Sequence, residues 1–320
     1  HDYEILRRLA LASGRPTLYN GLGQNWNQPG AWRRTLDFCA SIFKEKGQLW
    51  SLAFADRLDT WFDLKTTRMF MMDMPAFRDV MRRPLEEKLT LLADPAVRDR
   101  LRADVADATP RIFSKNWDDI LVDLPRTPAN EGLRGRSIAA IARSRGQDPL
   151  DTFLDVALSE QLETGFKYHG LGNGDPEAVA EIMADPYVLP GVSDAGAHMD
   201  VLSFYGVPAM VIGKWHRDKG VLSLEEAVRR VTSLPATVYG IPDRGAIREG
   251  LAADLVIFDR DRIRACDPRP EHDLPGGEMR LVQDAEGIIR SIVNGQVLVE
   301  EGRHTGNLPG QLIRNRKAMS

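Results

Sequence analysis

The 320-residue chain lacks several features that would assign it a class directly. Its two cysteines, Cys39 and Cys266, are far apart and form no metal or redox motif, which does not favour a structural disulfide. Acidic residues number 46 and basic residues 42, so the net charge of −4 offers no basic surface for nucleic acid. No apolar run approaches the ~20 residues of a membrane span, and no signal peptide is visible. These absences favour a cytoplasmic protein that acts on small molecules.

Catalytic motifs with a fixed spacing are missing as well. The sequence contains no HxH, HExxH or CxxC, no glycine-rich phosphate loop and no GxSxG elbow. We therefore expect no complete metal site from this chain alone. The first residue is His1, and the apolar spacing that follows is typical of a helix already under way, ended by Gly14 and Pro16. This indicates that the chain begins inside a larger protein.

A strand–helix–strand pattern is present near the start. "TLYNGL" and "LWSLAFA" are predicted strands, and the helical segment between them has Pro29 near its beginning and Gly47 at its end. Such a unit implies a parallel sheet. Later, "TGFKYH" and "YVLPGVS" are predicted strands. "PEAVAEIMAD" is a predicted helix opened by Asp175, and "SLEEAVRRV" is a predicted helix that begins with a capping residue, Ser223.

Two segments depart from this alternation. From about 61 to 146, prolines separate short helical stretches, which indicates an inserted helical segment, although "NWDDILV" fits a strand. After Gly245 the runs are short, β-branched and broken by glycines, and "VNGQ" is a hairpin signal. We predict an α/β domain over 1–244, with the insertion at about 61–146, and a β module with a tail over 245–320.

The stretch "YVLPGVSDAGAHMD" places an acid directly after a buried strand. A partly shielded carboxylate at Asp194 is costly unless a cation or several donors satisfy it. A divalent metal with bound water meets that need, and an aspartate beside it accepts and returns a proton. An aspartate that caps the small-residue turn "AGAH" fits the same residues. Both interpretations remain open on the residues alone.

The neighbouring polar residues give weaker signals. His198, four residues after Asp194, is better suited to bonding substrate or backbone than to metal ligation. His169, at the end of a predicted strand, is more typical of a local hydrogen bond than of catalysis. Ser193 is a conceivable nucleophile, but nothing in the sequence orients it.

Several stretches resemble a known family. "SDAGAH", "PATVYGI…RGAIREGLAADLVIFD" and "SIVNGQVLVEEG" resemble the C-terminal part of the amidohydrolase superfamily, and most closely its N-acyl-D-amino-acid deacylase (D-aminoacylase) branch. The resemblance covers about 166–314. "PATVYGI…RGAIREGLAADLVIFD" indicates the superfamily, and "SDAGAH" indicates its deacylase-like branch.

The resemblance implies the C-terminal part of a metal-dependent (β/α)8 hydrolase barrel with an appended small β-sandwich module. It implies one or two zinc ions in the intact protein, with Asp194 as metal contact and proton-transferring catalytic group. Ser193 and His198 are implied as neighbours of the substrate. The four predicted strands "TLYNGL", "LWSLAFA", "TGFKYH" and "YVLPGVS" would be the last four of the eight.

The implied reaction is hydrolysis of a linear amide, preferably an N-acyl-D-amino acid. The free carboxylate of such a substrate requires a cation, for which Lys167 is a candidate, together with Arg57 and Arg68. Neither nucleic acid nor a membrane is an expected partner, and an oligomer is left open. Two alternatives remain, a cyclic-amide hydrolase of the dihydroorotase or hydantoinase kind and a non-catalytic scaffold. Because half a barrel exposes sheet edges and apolar surface, we expect the 320 residues alone to be inactive.

Overall fold

The computed structural model describes residues 2–66, 73–193 and 196–313, so Arg68 and Asp194 lie outside the described residues. None of the helices formed by these residues is long and apolar enough to cross a membrane. A π-helix, Val211–Asp218, continues α9. The α-helices are α1 Asp2–Ala12, α2 Ala31–Lys44, α3 Pro75–Met81, α4 Leu85–Ala93, α5 Pro95–Ala106, α6 Ile138–Arg145, α7 Pro149–Ser159, α8 Pro176–Ala184, α9 Val207–Met210, α10 Leu224–Val231 and α11 Ser233–Tyr239.

The strands form two kinds of sheet, one parallel and the others antiparallel. The strands are β1 Thr17–Leu22, β2 Leu49–Ala53, β3 Leu58–Phe62, β4 Ile120–Leu124, β5 Gly165–Gly172, β6 Val188–Pro190, β7 Leu255–Phe258, β8 Arg264–Ala265, β9 Arg269–Glu271, β10 Arg280–Val282, β11 Ala285–Glu286, β12 Ile288–Val293, β13 Gln296–Glu300 and β14 Arg303–His304.

The parallel sheet has the order β1-β2-β6. Ser51 of the central strand β2 pairs with Tyr19 of β1 and with Val188 of β6. Helix α2 connects β1 to β2 and buries an apolar face that includes Trp32 and Ile42. The predicted strand–helix–strand unit and its parallel sheet are therefore confirmed.

The strand predicted from "TGFKYH" does not belong to this sheet. It is part of β5, the middle strand of an antiparallel sheet with the order β3-β5-β4. The prediction that all four strands share one parallel wall was wrong, since three of them do in the described residues. The physical reason is that Phe166 and Tyr168 are buried among the side chains of residues 62–162, whereas apolar alternation alone does not reveal a strand's neighbours.

The antiparallel sheet is packed against the helices that precede β5. Phe153 of α7 contacts the rings of Phe62, Trp117 and Phe166, with centroids 4.8–6.3 Å apart. Helices α3, α4 and α5 occupy much of the segment predicted to be helical at about 61–146, and the predicted strand "NWDDILV" supplies β4. The limits of the domains stay predictions.

After the helices, the chain forms short antiparallel strands. A four-stranded sheet has the order β14-β13-β12-β7, and smaller two-stranded pairs join β9 to β10 and β8 to β11. Val293 and Gln296 pair across the "VNGQ" turn, where Asn294 and Gly295 have φ values of 47° and 79°. Because a two-residue turn of this type requires positive φ at both positions, asparagine and glycine favour it, and the predicted hairpin is confirmed.

Candidate active-site cavity

A cavity of about 670 Å³ opens where the carboxyl end of β2 meets β5 and the π-helix. Its volume lies within the range of small-molecule sites, and its lining combines charged groups with apolar side chains. The lining includes Asp56, Asp59, Lys167, Asn173, Lys214 and Trp215. In open α/β sheets, ligands bind at the carboxyl ends of parallel strands. The position of this cavity therefore makes it the candidate functional site.

Asn173 joins the two sheets beside the cavity. Its Oδ1 accepts a hydrogen bond from the Gln24 N–H at 2.7 Å, and its Nδ2 donates to the carbonyls of Phe54 and Asp56 at 3.2 and 2.9 Å. Gln24 follows β1, and Phe54 follows β2. One buried amide at the end of the antiparallel strand β5 thus holds the loops at the carboxyl ends of two parallel strands.

Asp59 is the centre of a charged cluster on the cavity wall. Its carboxylate accepts hydrogen bonds from Nε and Nη2 of Arg57 at 2.6 and 3.1 Å. Nδ1 of His169 lies 2.8 Å from Oδ1, and Nζ of Lys167 lies 3.6 Å from Oδ2. Burial acts to raise the pKa of Asp59, but the His169 and Arg57 contacts outweigh it, so that the pKa is lowered. Asp59 is therefore ionised near neutral pH.

Lys167 is held in the cavity by this carboxylate and by an aromatic ring. Its ammonium lies 4.7 Å from the centre of the Trp61 ring, a cation–π distance. Nε1 of Trp61 donates to Oδ2 of Asp123 at 2.8 Å, which fixes the ring. The structure thus places Lys167, predicted to bind substrate, in the cavity with Arg57, the second cation proposed from the sequence.

The other predicted site residues are in the loop after β6. The N–H groups of Gly191 and Val192 donate to the carbonyl of Ala53 at 3.2 and 3.4 Å, which ties the start of this loop to the end of β2. Ser193 is half-buried, whereas His198 is exposed and has a left-handed φ of 53°. Neither is among the described residues that line the cavity. Their roles, like that of Asp194, stay predictions.

Metal donors are incomplete in the described part of the chain. Within residues 2–66, 73–193 and 196–313, no three His, Cys, Asp or Glu side chains come together as a possible metal site. Asp59 and His169 form only a pair, and a catalytic zinc site uses three protein ligands. The described residues therefore do not fit a complete zinc centre.

Several residues of the cavity were missed by the sequence analysis. Lys214 lies 2.5 Å from Asp56, and Nε1 of Trp215 donates to the Ala55 carbonyl at 2.7 Å, so the π-helix closes over the end of β2. The polar run "ADRLD" after the second strand was a usable signal for Asp56 and Asp59. Asn173 and the π-helix had no comparable signal, because their roles depend on contacts distant in sequence.

Comparison with known proteins identifies the family. The model of the Amidohydrolase family matches residues 49–299. This match covers most of the chain, and the protein belongs to the amidohydrolase family. The predicted superfamily resemblance is confirmed.

Individual relatives extend the comparison. An uncharacterised protein of Mycobacterium tuberculosis is 32% identical over 229 residues, which are 68% of this chain and 36% of that protein. An N-acyl-D-glutamate deacylase of Alcaligenes xylosoxydans xylosoxydans is 34% identical over 183 residues, which are 56% of this chain and 33% of the deacylase. The chain thus matches about a third of the length of these relatives.

Solved structures share the fold. A D-aminoacylase with a binuclear metal centre superposes with a TM-score of 0.52 at 21% identity, over 95% of this chain and 51% of that enzyme. An N-acyl-D-glutamate deacylase of Bordetella bronchiseptica, complexed with zinc and a phosphonate inhibitor, gives a TM-score of 0.51 at 20% identity. It is matched over 94% of this chain and 51% of the deacylase.

Proposed function

We propose that the protein takes part in the hydrolysis of a linear amide, an N-acyl-D-amino acid by preference, as part of a (β/α)8 barrel with a β-sandwich module. One observation carries the proposal. The loop that begins with Gly191 is hydrogen-bonded to the end of β2, at the carboxyl edge of the parallel strands beside which the cavity opens. Family membership and the similarity to N-acyl-D-glutamate deacylase support the choice of bond and substrate.

In the proposed reaction, water adds to the amide carbonyl, the C–N bond breaks, and a carboxylic acid and a free amine leave. Asp194 takes a proton from the attacking water and passes it to the nitrogen of the leaving amine. Ser193 and His198 bind the substrate from the same loop, and Lys167 binds it from the cavity. Zinc is the proposed cofactor of the intact protein, with Asp194 as one ligand and the others from residues outside those described.

The metal donors of the described residues limit what we propose for the 320-residue chain by itself. Because the described residues bring no three metal donors together, we propose that these 320 residues alone do not turn over substrate. This observation also favours the alternative of a non-catalytic scaffold. A cyclic-amide hydrolase has no comparable support from the cavity.

The test uses the protein in the length that its gene encodes, purified with zinc. Amine release is measured with N-acetyl-D-amino acids and their L-enantiomers, and ring opening with hydantoin and dihydroorotate. Turnover of the D-substrates is expected, and Asp194→Asn should lower kcat by about 10²–10⁴-fold because the proton carrier is lost. Asp200→Asn, in the same loop and exposed, is the matched control and should retain activity.

Other outcomes would reject the proposal. Turnover of the cyclic amides alone would favour the first alternative. Failure to bind zinc or to hydrolyse any of these substrates would favour the scaffold. Full activity of Asp194→Asn would remove the assigned role of that residue.

A further inference from the structure

Two polar groups that line the cavity have no hydrogen-bond partner among the described residues. Ser203 is 3% exposed, and its buried Oγ has no partner in the described structure. Lys167 makes no hydrogen bond to any described residue, and the Asp59 oxygen nearest its ammonium is 3.6 Å away. A buried hydroxyl without a partner is unusual in a folded protein and costs folding free energy. Both groups therefore have a hydrogen-bonding capacity that no described residue uses.

A shared contact brings these two groups to one region of the lining. The Val201 carbonyl accepts hydrogen bonds from the Trp61 N–H at 2.9 Å and from Oγ1 of Thr60 at 3.2 Å. Trp61 is the partner of Lys167 across the β3–β5 pair. The segment that carries Ser203, two residues after Val201, thus packs against the strand pair that carries Lys167.

The position of Lys167 suits anion binding. Arg57 forms a bidentate pair with Asp59 and neutralises its charge, so the ammonium of Lys167 is an additional positive charge at the cavity wall. The Trp61 ring and the Asp59 carboxylate hold this ammonium without using its hydrogen-bond donors. Asp59 and Trp61 act as positioning residues.

We infer that Lys167 and Ser203 bind the carboxylate of a small-molecule ligand whose apolar part lies against Val179, Phe204 and Met210. An ammonium and a hydroxyl match the single charge and the two acceptor oxygens of a carboxylate. The arginines that would better suit a phosphate are already paired with acids. These pairs are Arg57–Asp59, Arg217–Asp218 and Arg264–Glu286.

This inference rests on the proposed function only in taking the carboxylate to be that of an N-acyl amino acid. Its test therefore measures binding without turnover. Isothermal titration of the 320-residue chain compares 4-methylpentanoate with 4-methylpentanamide, which has the same shape and no charge. Neither probe contains the N-acyl linkage of the proposed substrate.

The carboxylate should bind about tenfold more tightly than the amide, since a charge-assisted contact is at stake. Lys167→Met should abolish this preference, and Lys167→Arg should restore part of it. Ser203→Ala should weaken carboxylate binding by about three- to tenfold. Lys65→Met is the matched control: this lysine pairs with Glu163 outside the cavity lining, and the variant should behave as the parent chain.

Equal affinity for the two probes in the parent chain would overturn the inference. A preference that survives both Lys167→Met and Ser203→Ala would also overturn it. If circular dichroism shows that Lys167→Met does not fold, the Ser203→Ala variant provides the test. Unchanged carboxylate affinity in that variant would then overturn the inference. Inorganic phosphate that binds more tightly than the carboxylate would reject the ligand class. Carboxylate binding in a protein that hydrolyses no N-acyl amino acid would retain this site and reject the proposed function.

Discussion

The parallel and antiparallel sheets obtain their cores in different ways. Among the described residues, the buried core of the antiparallel sheet comes from one stretch of the chain, between Phe62 and Tyr168. The core of the parallel sheet combines residues from Leu22 to Ile263, and includes α8, the π-helix and α10. The antiparallel unit therefore has a local core of its own, whereas the parallel sheet depends on segments distant in sequence. The cavity lies between them, where Asn173 holds their ends together.

The largest expected effect tests the local core. Phe166→Ala removes a fully buried ring that contacts Phe62 and Phe153, with centroids 5.6 and 4.8 Å away. The free energy of unfolding, measured with urea, should fall by about 3–5 kcal/mol. Hydrogen exchange should accelerate more in β3, β4 and β5 than in β1, β2 and β6. Equal acceleration in both sheets would show that they unfold as one unit.

A smaller effect is expected at the junction. Asn173→Asp keeps the acceptor for the Gln24 N–H but loses the two donors to the carbonyls of Phe54 and Asp56. We expect the free energy of unfolding to fall by about 2–3 kcal/mol, because two part-buried carbonyls lose their partners next to a new charge. Asn173→Gly, which suits the local φ of 55°, separates backbone strain from lost bonds. Unchanged stability of both variants would contradict the proposed coupling of the sheets.

In α10, which packs in the core of the parallel sheet, Glu226 makes a pH-dependent contribution to the free energy of unfolding. Hydrogen bonds from Arg229 lower the pKa of Glu226 most. Burial acts in the opposite direction, but a hydrogen bond from Arg230 lowers the pKa further, to about 2. Arg230 is 3% exposed and also donates to the carbonyls of Met183 and Ala184. Glu226→Gln should cost about 2 kcal/mol at pH 7, since a buried guanidinium loses its carboxylate.

The sign of this pH dependence follows from the lowered pKa. The stabilisation by Glu226 is complete above its ordinary pKa of 4.5 and is lost as pH falls through about 2. Urea unfolding at a series of pH values should show the difference between parent and Glu226→Gln shrinking over this interval. A difference that does not depend on pH would contradict the assigned ion pair.

The smallest effect on stability is expected for an exposed ion pair between two helices, α2 and α8, that pack with the parallel sheet. Arg33 of α2 pairs with Glu181 of α8 at 2.6 Å, and both side chains are more than half exposed. Because exposed ion pairs are screened by water, a double-mutant cycle with Arg33→Gln and Glu181→Gln should give a coupling below about 0.5 kcal/mol. A larger coupling would mean that this pair contributes to holding α2 against α8.

Local chemistry predicted much of the secondary structure. Asp175 and Ser223 were the capping residues expected for two helices, and each accepts a hydrogen bond from the first turn of α8 and α10 respectively. The hairpin at Asn294 and Gly295 followed from turn chemistry in the same way. These predictions were correct because every hydrogen bond involved joins residues that are only a few positions apart in the sequence.

The candidate site was only partly predictable. Lys167 was chosen as a cation near the end of a predicted strand and lies in the cavity, but the strand itself was assigned to the wrong sheet. Asp59, Trp61 and Ser203 matter because β5 and the 201–203 segment meet β3, and nothing in their local sequence reports that meeting. Strand pairing over a hundred residues depends on which apolar faces are buried together.

By itself, the sequence determined the helix caps, the hairpin, the strand–helix–strand unit and the family. Tertiary structure alone decided which strands share a sheet, and it placed a lysine, a serine and an asparagine from distant segments around one cavity. The reason is that capping and turn formation are short-range hydrogen bonding, whereas sheet partners and cavities arise from the burial of apolar surface contributed by the whole chain.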